Sequence, residues 1–428
     1  MARSDSDTGW LHASLHRQWL DDQGQRLLDF SKSARIEAGF SALDDAGQLP
    51  PGASAQTIIT ARMTHTYALA SARGLPGCRA LAQHGMTALS ETLRDPKHGG
   101  WLPAAGDTAA RKQAYVHAFV ALAASTAVVT KLPGATALLE QALIPIEQHF
   151  WSEDEGVMLE SFAADWTDEE DYRGANSNMH SLEMALAVAD ALDAPLWRSR
   201  ALRIANRFVN ELARSYGFRL GEHFDRQWRL LTDYHMDSPD DDLRPYGLTP
   251  GHFLEWSFLL LKLEAALETQ EGSAPSWLLE SAVQLFETGV SRGWSVDGAP
   301  GMVYTVDWQD RPVIRNRPHW VMAEAIKAAW ALFTRTGEDR YADWYRCFWD
   351  YADLYLVDRV NGSWHHEVDC LNRPSSRVYK GKADLYHAYQ ATLTGLVPLN
   401  CSVAVSLALP THCNADSLPR ESVRRRAC

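Results

Sequence analysis

His252 and Glu255 lie three residues apart in the segment TPGHFLEWSFLLL, at the start of an apolar stretch. Residues with this spacing share one face of an α-helix. A histidine changes its charge close to neutral pH, and a carboxylate beside it raises its pKa, so the pair is suited to moving protons. A local hydrogen bond at an exposed helix start is the simpler explanation, but the apolar residues that follow predict a buried helix, where an unused polar pair is costly. We therefore predict that His252 and Glu255 are catalytic, with Glu255 tuning the imidazole.

Three further segments place polar residues near helix starts. His387 lies in GKADLYHAYQA, where Asp384 is predicted to cap the helix or to orient the imidazole. Arg62 is a cation in the otherwise apolar segment IITARMTHTYALA, where it either forms a buried ion pair or stabilises substrate oxygens. Asn176 and His180 flank another helix start, and capping by Asn176 is an alternative to substrate binding. Each residue alone has a structural explanation, so the elements that carry them decide whether they act together.

Helical periodicity runs through most of the chain and predicts an all-α protein. The connection after each odd-numbered helix is long, and the connection after each even-numbered helix is short. This alternation predicts six antiparallel helix pairs with every long loop on one face. The twelve predicted helices span residues 11–35, 54–73, 77–93, 108–131, 134–150, 177–193, 195–215, 251–268, 275–292, 318–337, 339–356 and 382–398.

Six helix pairs form either an open solenoid or a closed double ring. The starts of the even-numbered helices favour the ring, because all of them carry polar residues that a ring would bring to one pocket. We predict an (α/α)6 barrel with the even-numbered helices inside, and with long loops and two small β-hairpins, at 218–231 and 301–314, on one face. Residues 1–398 would form this single catalytic domain and residues 399–428 a poorly ordered tail. The residues at the helix starts are Arg62, Tyr115, His117, Asn176, His180, His252, Glu255, His319, Glu324 and His387.

Composition argues against several classes of protein. The chain has 428 residues and a net charge of −13, which disfavours nucleic acid or an anionic membrane as a partner. It has no apolar span of about 20 residues that could cross a membrane, and MARSDSDTGW lacks the apolar core of a signal peptide. The six cysteines form no CxxC pair, so we expect reduced thiols in the cytoplasm. The histidines lack HExxH spacing and the acidic run at 237–242 fits no calcium loop, so no metal site is predicted.

Five segments in order along the chain resemble the N-acylglucosamine 2-epimerase superfamily. They are ANSNMHSLEMALA, TPGHFLEWSFLLL, HWVMAEAIKAAWAL, GSWHHEVD and GKADLYHAYQA, and the likeness runs from about residue 55 to residue 398. The chain is most similar to the aldose–ketose isomerase branch, whose members act on sugars such as mannose and sulfoquinovose. The resemblance implies an (α/α)6 barrel, no metal or other cofactor, and a monosaccharide as the partner. A homo-oligomer is left open.

Carried onto matching positions, the resemblance implies His252 and His387 as the acid–base pair, supported by Glu255. In GSWHHEVD the neighbours His366 and Glu367 follow a tryptophan, and either could face the sugar. The implied substrate-binding residues are Arg62, Tyr115, Asn176, His180, Arg244, His366 and Glu367.

The implied reaction interconverts D-mannose, and related aldoses such as D-lyxose, with the ketose, D-fructose in the case of mannose, through a cis-enediolate. Three alternatives stay open. A sugar 2-epimerase of the N-acylglucosamine, mannose or cellobiose type would use two bases that flank C2. An (α/α)6 glycosidase would need two carboxylates, such as Glu255 and one from residues 237–242. A helical-repeat binding protein would leave the polar residues on all the even-numbered helices unexplained.

Overall fold

The fold is seen in a computed structural model that describes residues 9–408, with only the backbone of His12. Helices dominate it, and three of them, α5, α7 and α11, continue into π-helical segments at Ile146–Phe150, Asn206–Ala213 and Ala352–Leu356. The helices are α1 (Ser14–Ser31), α2 (Thr57–Ala72), α3 (Cys78–Ser90), α4 (Ala114–Val129), α5 (Ala135–Pro145), α6 (Ala175–Leu192), α7 (Pro195–Ala205), α8 (Pro250–Glu271), α9 (Trp277–Gly293), α10 (His319–Thr336), α11 (Asp339–Tyr351), α12 (Tyr386–Thr392) and α13 (Val403–Ala408).

The even-numbered helices α2 to α12 form a closed inner ring. Each contacts the next even-numbered helix, and α12 returns to contact α2. The odd-numbered helices α1 to α11 pack outside, each against an inner helix. The inner helix α4, AYVHAFVALAASTAVV, is buried along nearly its whole length, as expected of a helix that is apolar on all sides. The predicted (α/α)6 barrel is confirmed. Among the described residues, no helix is long and apolar enough to cross a membrane.

The predicted helix boundaries hold to within about four residues except at α4 and at the last inner helix. Helix α4 begins at Ala114, six residues after the predicted start at 108. Helix α12 covers seven residues, 386–392, where the sequence predicted 382–398. Gly395 adopts a φ of 78°, and Pro398 follows three residues later, so the chain turns away from the helical path.

Short antiparallel pairings tie the loops to the barrel. A residue or pair just before each inner helix bonds to the loop that precedes the next inner helix, and the series closes around the ring. These pairings join Gln56 to Ala104, Lys112–Gln113 to Ser161–Phe162, Arg173–Gly174 to His223–Phe224, Leu248 to Val306, Arg317–Pro318 to Glu367–Val368, and Lys382 to Leu43. The strands are β1 (Arg35–Ile36), β2 (Gly39–Phe40), β3 (Lys112–Gln113), β4 (Trp151–Ser152), β5 (Val157–Met158), β6 (Ser161–Phe162), β7 (Arg173–Gly174), β8 (His223–Phe224), β9 (Arg317–Pro318) and β10 (Glu367–Val368).

The two predicted hairpins contain tight turns at residues 225–229 and 307–311, and a third such turn occurs at 369–373. In each turn an aspartate carboxylate accepts hydrogen bonds from the amides two and four residues on. The same carboxylate pairs with the arginine four residues on. The third turn was not predicted, although its DxxxR spacing repeats that of the other two.

Residues 399–408 fold against the base of the barrel. The ammonium of Lys262 donates to the carbonyl of Cys401 (2.7 Å), and the amide of Ser402 donates to Asp190 (2.5 Å). The division of the chain into a domain of 1–398 and a tail of 399–428 stays a prediction, and residues 409–428 lie outside the described part.

Close packing of α2 on α3 depends on Gly85. A Cβ atom at this position would lie 1.9 Å from Oγ1 of Thr64. We expect Gly85→Ala to lower the free energy of unfolding by about 1–3 kcal/mol through overpacking. Thr64→Ala in the same chain should recover part of the loss, and denaturant unfolding of the single and double variants measures this. Additive losses in the double variant would contradict the packing explanation.

Candidate active site

A cavity of about 390 Å3 lies at the loop end of the barrel, where the starts of the inner helices meet. All six inner helices contribute side chains to its wall, as a closed ring requires. Eight of the ten predicted site residues line it, namely Arg62, Tyr115, Asn176, His180, His252, Glu255, His366 and His387.

His252 is held by a carboxylate that the sequence analysis did not identify. Its Nδ1 lies 2.9 Å from Oε1 of Glu222, and both side chains are buried. Glu222 belongs to the loop before α8, and its carbonyl accepts a hydrogen bond from the amide of Ala175 at the start of α6 (3.0 Å). The predicted tuning of His252 by Glu255 is therefore not supported by this contact, and it stays a prediction. The two residues share a helix, but the carboxylate that contacts the imidazole comes from the loop.

His387 has the same arrangement, with a carboxylate from a neighbouring inner helix. Its Nδ1 lies 2.7 Å from Oε1 of the fully buried Glu324, whose Oε2 lies 2.8 Å from the ammonium of Lys327. Asp384 caps the helix by accepting from the amide two residues on (2.9 Å), so it is the cap and not the group that orients the imidazole. Burial, and then the charge of Arg62, hold the pKa of His387 well below its usual value.

The carboxylates select one tautomer for both imidazoles. Burial raises the pKa of Glu324, and the ammonium of Lys327 at 2.8 Å opposes this shift. An ionised carboxylate only accepts hydrogen bonds, so with Glu222 and Glu324 ionised Nδ1 of each ring carries a proton and Nε2 keeps a lone pair. The indole of Trp320 lies beside both rings, with centroid distances of 5.1 Å to His252 and 5.9 Å to His387. The cavity therefore holds two bases that share one aromatic wall.

Glu255 is buried near other carboxyl groups. One of its oxygens lies 3.8 Å from Nδ1 of His180. Burial, followed by the negative charge of Glu324, raises the pKa of Glu255 well above its usual value. Glu255 is therefore more readily protonated than an ordinary glutamate, and in that form it can donate a hydrogen bond.

Arg62 forms a buried ion pair and also lines the cavity, so the ion-pair explanation holds, and stabilisation of substrate oxygens stays a prediction. Its guanidinium donates to the hydroxyl of Tyr115 (2.7 Å) and to Asp384 (3.2 Å). The same group lies 4.4 Å from the ring centroid of Phe119. These contacts fix the guanidinium in one position at the cavity wall.

His180 and Asn176 line the same part of the cavity. The His180 ring packs edge-on against Tyr115, with 5.3 Å between centroids, and burial lowers its pKa to about 4. His180 is therefore neutral near pH 7. The amide nitrogen of Asn176 donates to the carbonyl of Leu243 (3.2 Å), and its Oδ1 has no partner among the described residues. Asn176 makes no side-chain cap to its helix.

Two predicted substrate-binding residues lie outside the cavity wall. Arg244 binds Glu170 through both terminal nitrogens, at 2.6 and 3.0 Å. Glu367 accepts hydrogen bonds from the backbone amides of residues 377–379, at 2.8 to 3.0 Å. Both side chains have partners within the loops, and a contact of Arg244 or Glu367 with the sugar stays a prediction. Successive residues of an extended segment point to opposite faces, and of the neighbours at 366 and 367 it is His366 that reaches the cavity.

Aromatic residues that enclose the cavity were not found from the sequence. Trp320 donates through Nε1 to the hydroxyl of Tyr379, which lies 3.1 Å from the hydroxyl of Tyr304. Both hydroxyls lie close to the carbonyl of Asp242, at 3.2 and 3.0 Å, so they hold the acidic loop 237–242 at the cavity. Trp320 lies beside His319 at a helix start and could have been found from that position, whereas the tyrosines lie in long loops without a distinguishing pattern.

One group of side chains among the described residues has the spacing of metal ligands. Potential ligand atoms of Glu255, Glu324 and His387 lie within 4.8 Å of one another. The ammonium of Lys327 already supplies a positive charge to Glu324 at 2.8 Å, and the raised pKa of Glu255 favours its neutral form. Metal ligands must be deprotonated, so both features oppose a divalent cation here.

The fold and the site together define an (α/α)6-barrel protein with carboxylate-bound histidines at the loop end. The chain belongs to the N-acylglucosamine 2-epimerase family, whose model matches residues 39–391. The resemblance found in the sequence is confirmed.

Similar proteins are known in bacteria and among solved structures. The chain is 52% identical over 403 residues to a D-mannose isomerase of Pseudomonas cannabina pv. alisalensis, covering 94% of this chain and 97% of that one. It is 50% identical over 407 residues to a D-mannose isomerase of Thermobifida fusca, covering 94% and 99%. The crystal structure of a D-mannose isomerase is similar with a TM-score of 0.82 at 25% identity, covering 89% of this chain and 98% of that one.

We expect Lys327→Met to change the tautomer of His387. Loss of the ammonium raises the pKa of Glu324, and a protonated Glu324 donates to Nδ1 and moves the ring proton to Nε2. Imidazole 15N chemical shifts of histidine-labelled protein at pH 7 measure the tautomer, with His387→Asn used for assignment. Higher pH should restore the original tautomer in the variant.

Lys262→Met is the matched control. Lys262 is also a buried lysine of the inner ring, but it donates to the carbonyl of Cys401. An unchanged tautomer in Lys327→Met, or an equal change in both variants, would show that Lys327 does not act through Glu324.

Proposed function

We propose that the chain is an aldose–ketose isomerase that interconverts D-mannose and D-fructose, and that related aldoses such as D-lyxose are further substrates. The observation that carries the proposal is one cavity holding two histidines, each bound at Nδ1 by a buried carboxylate. Half-identical relatives named D-mannose isomerase, matched over nearly their whole length, support the same reaction.

In the proposed reaction, His252 assists ring opening. Its Nε2 lone pair accepts the proton of the anomeric hydroxyl and delivers it to the ring oxygen as the bond between C1 and that oxygen breaks. Glu222 stabilises the imidazolium that forms, because its carboxylate lies 2.9 Å from Nδ1. Opening yields the free aldehyde, which makes the hydrogen on C2 acidic.

His387 then transfers the proton between the two carbons. Nε2 removes the C2 proton and leaves a cis-enediolate with negative charge on O1. A proton passes from O2 to O1, and His387 returns its own proton to C1, which gives the ketose. A neutral imidazole is needed at the start, and the lowered pKa of His387 keeps it in that form at neutral pH.

Arg62 and Glu255 are proposed to stabilise the enediolate. Arg62 places a fixed positive charge at the cavity wall, where Asp384 and Tyr115 hold it. Glu255 in its protonated form donates to a substrate oxygen and can relay the proton between O2 and O1. The neutral side chains of His180 and Asn176 are proposed to bind hydroxyl groups.

Epimerisation at C2 is the second candidate function. It would need a base on each face of C2, and His252 and His387 line the same cavity beside Trp320. A glycosidase has less support, since Glu255 would have to act with a carboxylate of the acidic loop, of which Asp242 lines the cavity.

We also propose that the enzyme works in the cytoplasm as a metal-free protein. The four described cysteines, 78, 347, 370 and 401, are free thiols, which supports a reducing compartment. A homo-oligomer stays a prediction.

The decisive experiment follows deuterium from C2 of D-mannose. We expect the wild-type enzyme to form D-fructose and to carry part of the deuterium to C1, because one base serves both carbons. His387→Asn should abolish conversion and C2 exchange in D2O. His252→Asn should slow turnover of the closed ring far more than turnover of an open-chain analogue.

Product analysis by chromatography distinguishes the candidates. Glucose as the main product, or C2 exchange that survives in His387→Asn, would support the epimerase over the isomerase. Hydrolysis of a mannoside without conversion of free mannose would point to the glycosidase.

Chelation tests the metal-free mechanism. We expect full activity after dialysis against EDTA, because Lys327 takes the place of a cation beside Glu324. Fructose formation from mannose, assayed before and after dialysis, is the measurement. Activity that disappears and returns with one divalent ion would instead assign Glu255, Glu324 and His387 as its ligands.

A further inference from the structure

His319 and His366 form a stacked pair of imidazoles in the cavity wall. Their ring centroids lie 3.9 Å apart with an angle of 16° between the planes. Both side chains are only 6% exposed, and both line the cavity. Neither ring lies within ion-pair distance of a carboxylate in the described part of the chain, so the pair differs from His252 and His387.

The tautomer of His319 is fixed by a backbone carbonyl. Its Nδ1 lies 3.1 Å from the carbonyl oxygen of His366, which only accepts, so Nδ1 carries the proton. Nε2 therefore keeps its lone pair, and it is buried without a hydrogen-bond partner among the described residues. Burial lowers the pKa of His319 to about 4, which keeps the ring neutral.

The tautomer of His366 is the opposite one. Its Nδ1 accepts a hydrogen bond from the amide of Ala383 (3.2 Å), so the proton lies on Nε2. Burial, and then the neighbouring His319, lower the pKa of His366 well below its usual value, so this ring is neutral too. The stacked rings thus offer one acceptor nitrogen and one donor nitrogen side by side.

The geometry points to a hydroxyl-binding site in which Nε2 of His319 accepts from a sugar hydroxyl and Nε2 of His366 donates to a hydroxyl oxygen. A hydroxyl group both donates and accepts, so it matches this pair, as do two neighbouring hydroxyls. A phosphate or sulfonate does not match, because it would meet the lone pair of His319. The inference rests on the proposed function, and it makes His319 a further determinant of specificity for an unmodified hydroxyl.

The test compares His319→Phe with the wild type on D-mannose and on its 3-deoxy, 4-deoxy and 6-deoxy analogues. Phenylalanine keeps a stacking ring and removes the acceptor. We expect kcat/KM for mannose to fall about tenfold to hundredfold, mainly through KM. The analogue that lacks the hydroxyl bound by His319 should show a similar loss of kcat/KM with the wild type. With His319→Phe it should show no further loss, because the variant already lacks the acceptor for that hydroxyl. His319→Gln, which restores an acceptor oxygen, should recover part of the loss.

His149→Phe is the matched control. His149 also stacks on an aromatic ring, at 4.1 Å from Trp166 with an angle of 6°, but it lies outside the cavity wall. This variant should keep the wild-type kcat/KM for every sugar. Equal losses in both variants would reflect the packing of stacked histidines and would overturn the binding role.

Binding measured without turnover separates this inference from the proposed function. In the His387→Asn background, calorimetric titration with D-mannose should give a Kd that rises about tenfold or more when His319→Phe is added. An unchanged Kd would overturn the inference. It would also be overturned if, for every deoxy analogue, the loss of kcat/KM caused by the missing hydroxyl simply added to the loss caused by His319→Phe. Mannose that binds to the wild type but is not converted would overturn only the proposed function.

Discussion

The closed ring of inner helices is the constraint on which the site depends. Because all six inner helices begin at the same end, their first turns face one axis and their polar residues share one cavity. The ring also places Glu255, Glu324 and Lys327 in its interior, where charges are stable only when paired or neutralised. The protonation of each of these three groups therefore affects that of the other two. Glu324 contacts Nδ1 of His387, so it extends this effect to the imidazole.

The loops contribute side chains at the cavity in addition to those of the inner helices. The antiparallel pairings between each helix entry and the next loop fix the backbone next to the cavity. Glu222 and His366 lie in these paired segments, so their side chains reach the cavity from the loop side. His252 depends on such a loop carboxylate, whereas the partner of His387 comes from a helix. This difference gives the two histidines unlike surroundings, as different roles in the reaction require.

The described cavity is lined by polar groups whose burial favours their uncharged forms. Burial lowers the pKa of His180 and of His319 to about 4, and raises that of Glu255. Arg62 keeps its charge but shares it with Asp384. A neutral polyol can exchange its hydrogen bonds to water for hydrogen bonds to the side chains of such a cavity. An anionic substrate would lose more hydration free energy on leaving water.

The sequence by itself determined the helices, their pairing, and the residues at the helix starts. Periodicity and loop length are local properties, and His252, His387 and Arg62 were found from their positions on single helices. The structure alone decided the contacts between distant segments. Glu222 lies 30 residues from His252, and Glu324 lies 63 residues from His387. Spacing along the chain therefore pointed to Glu255 beside His252, and to Asp384 as either the cap or the orienting group at His387, but it could not reveal Glu222 or Glu324. The loop partners of Arg244 and Glu367 were likewise not visible in the sequence. Helix formation depends on neighbours along the chain, but contact between side chains depends on how the ring closes and how the loops pair across it.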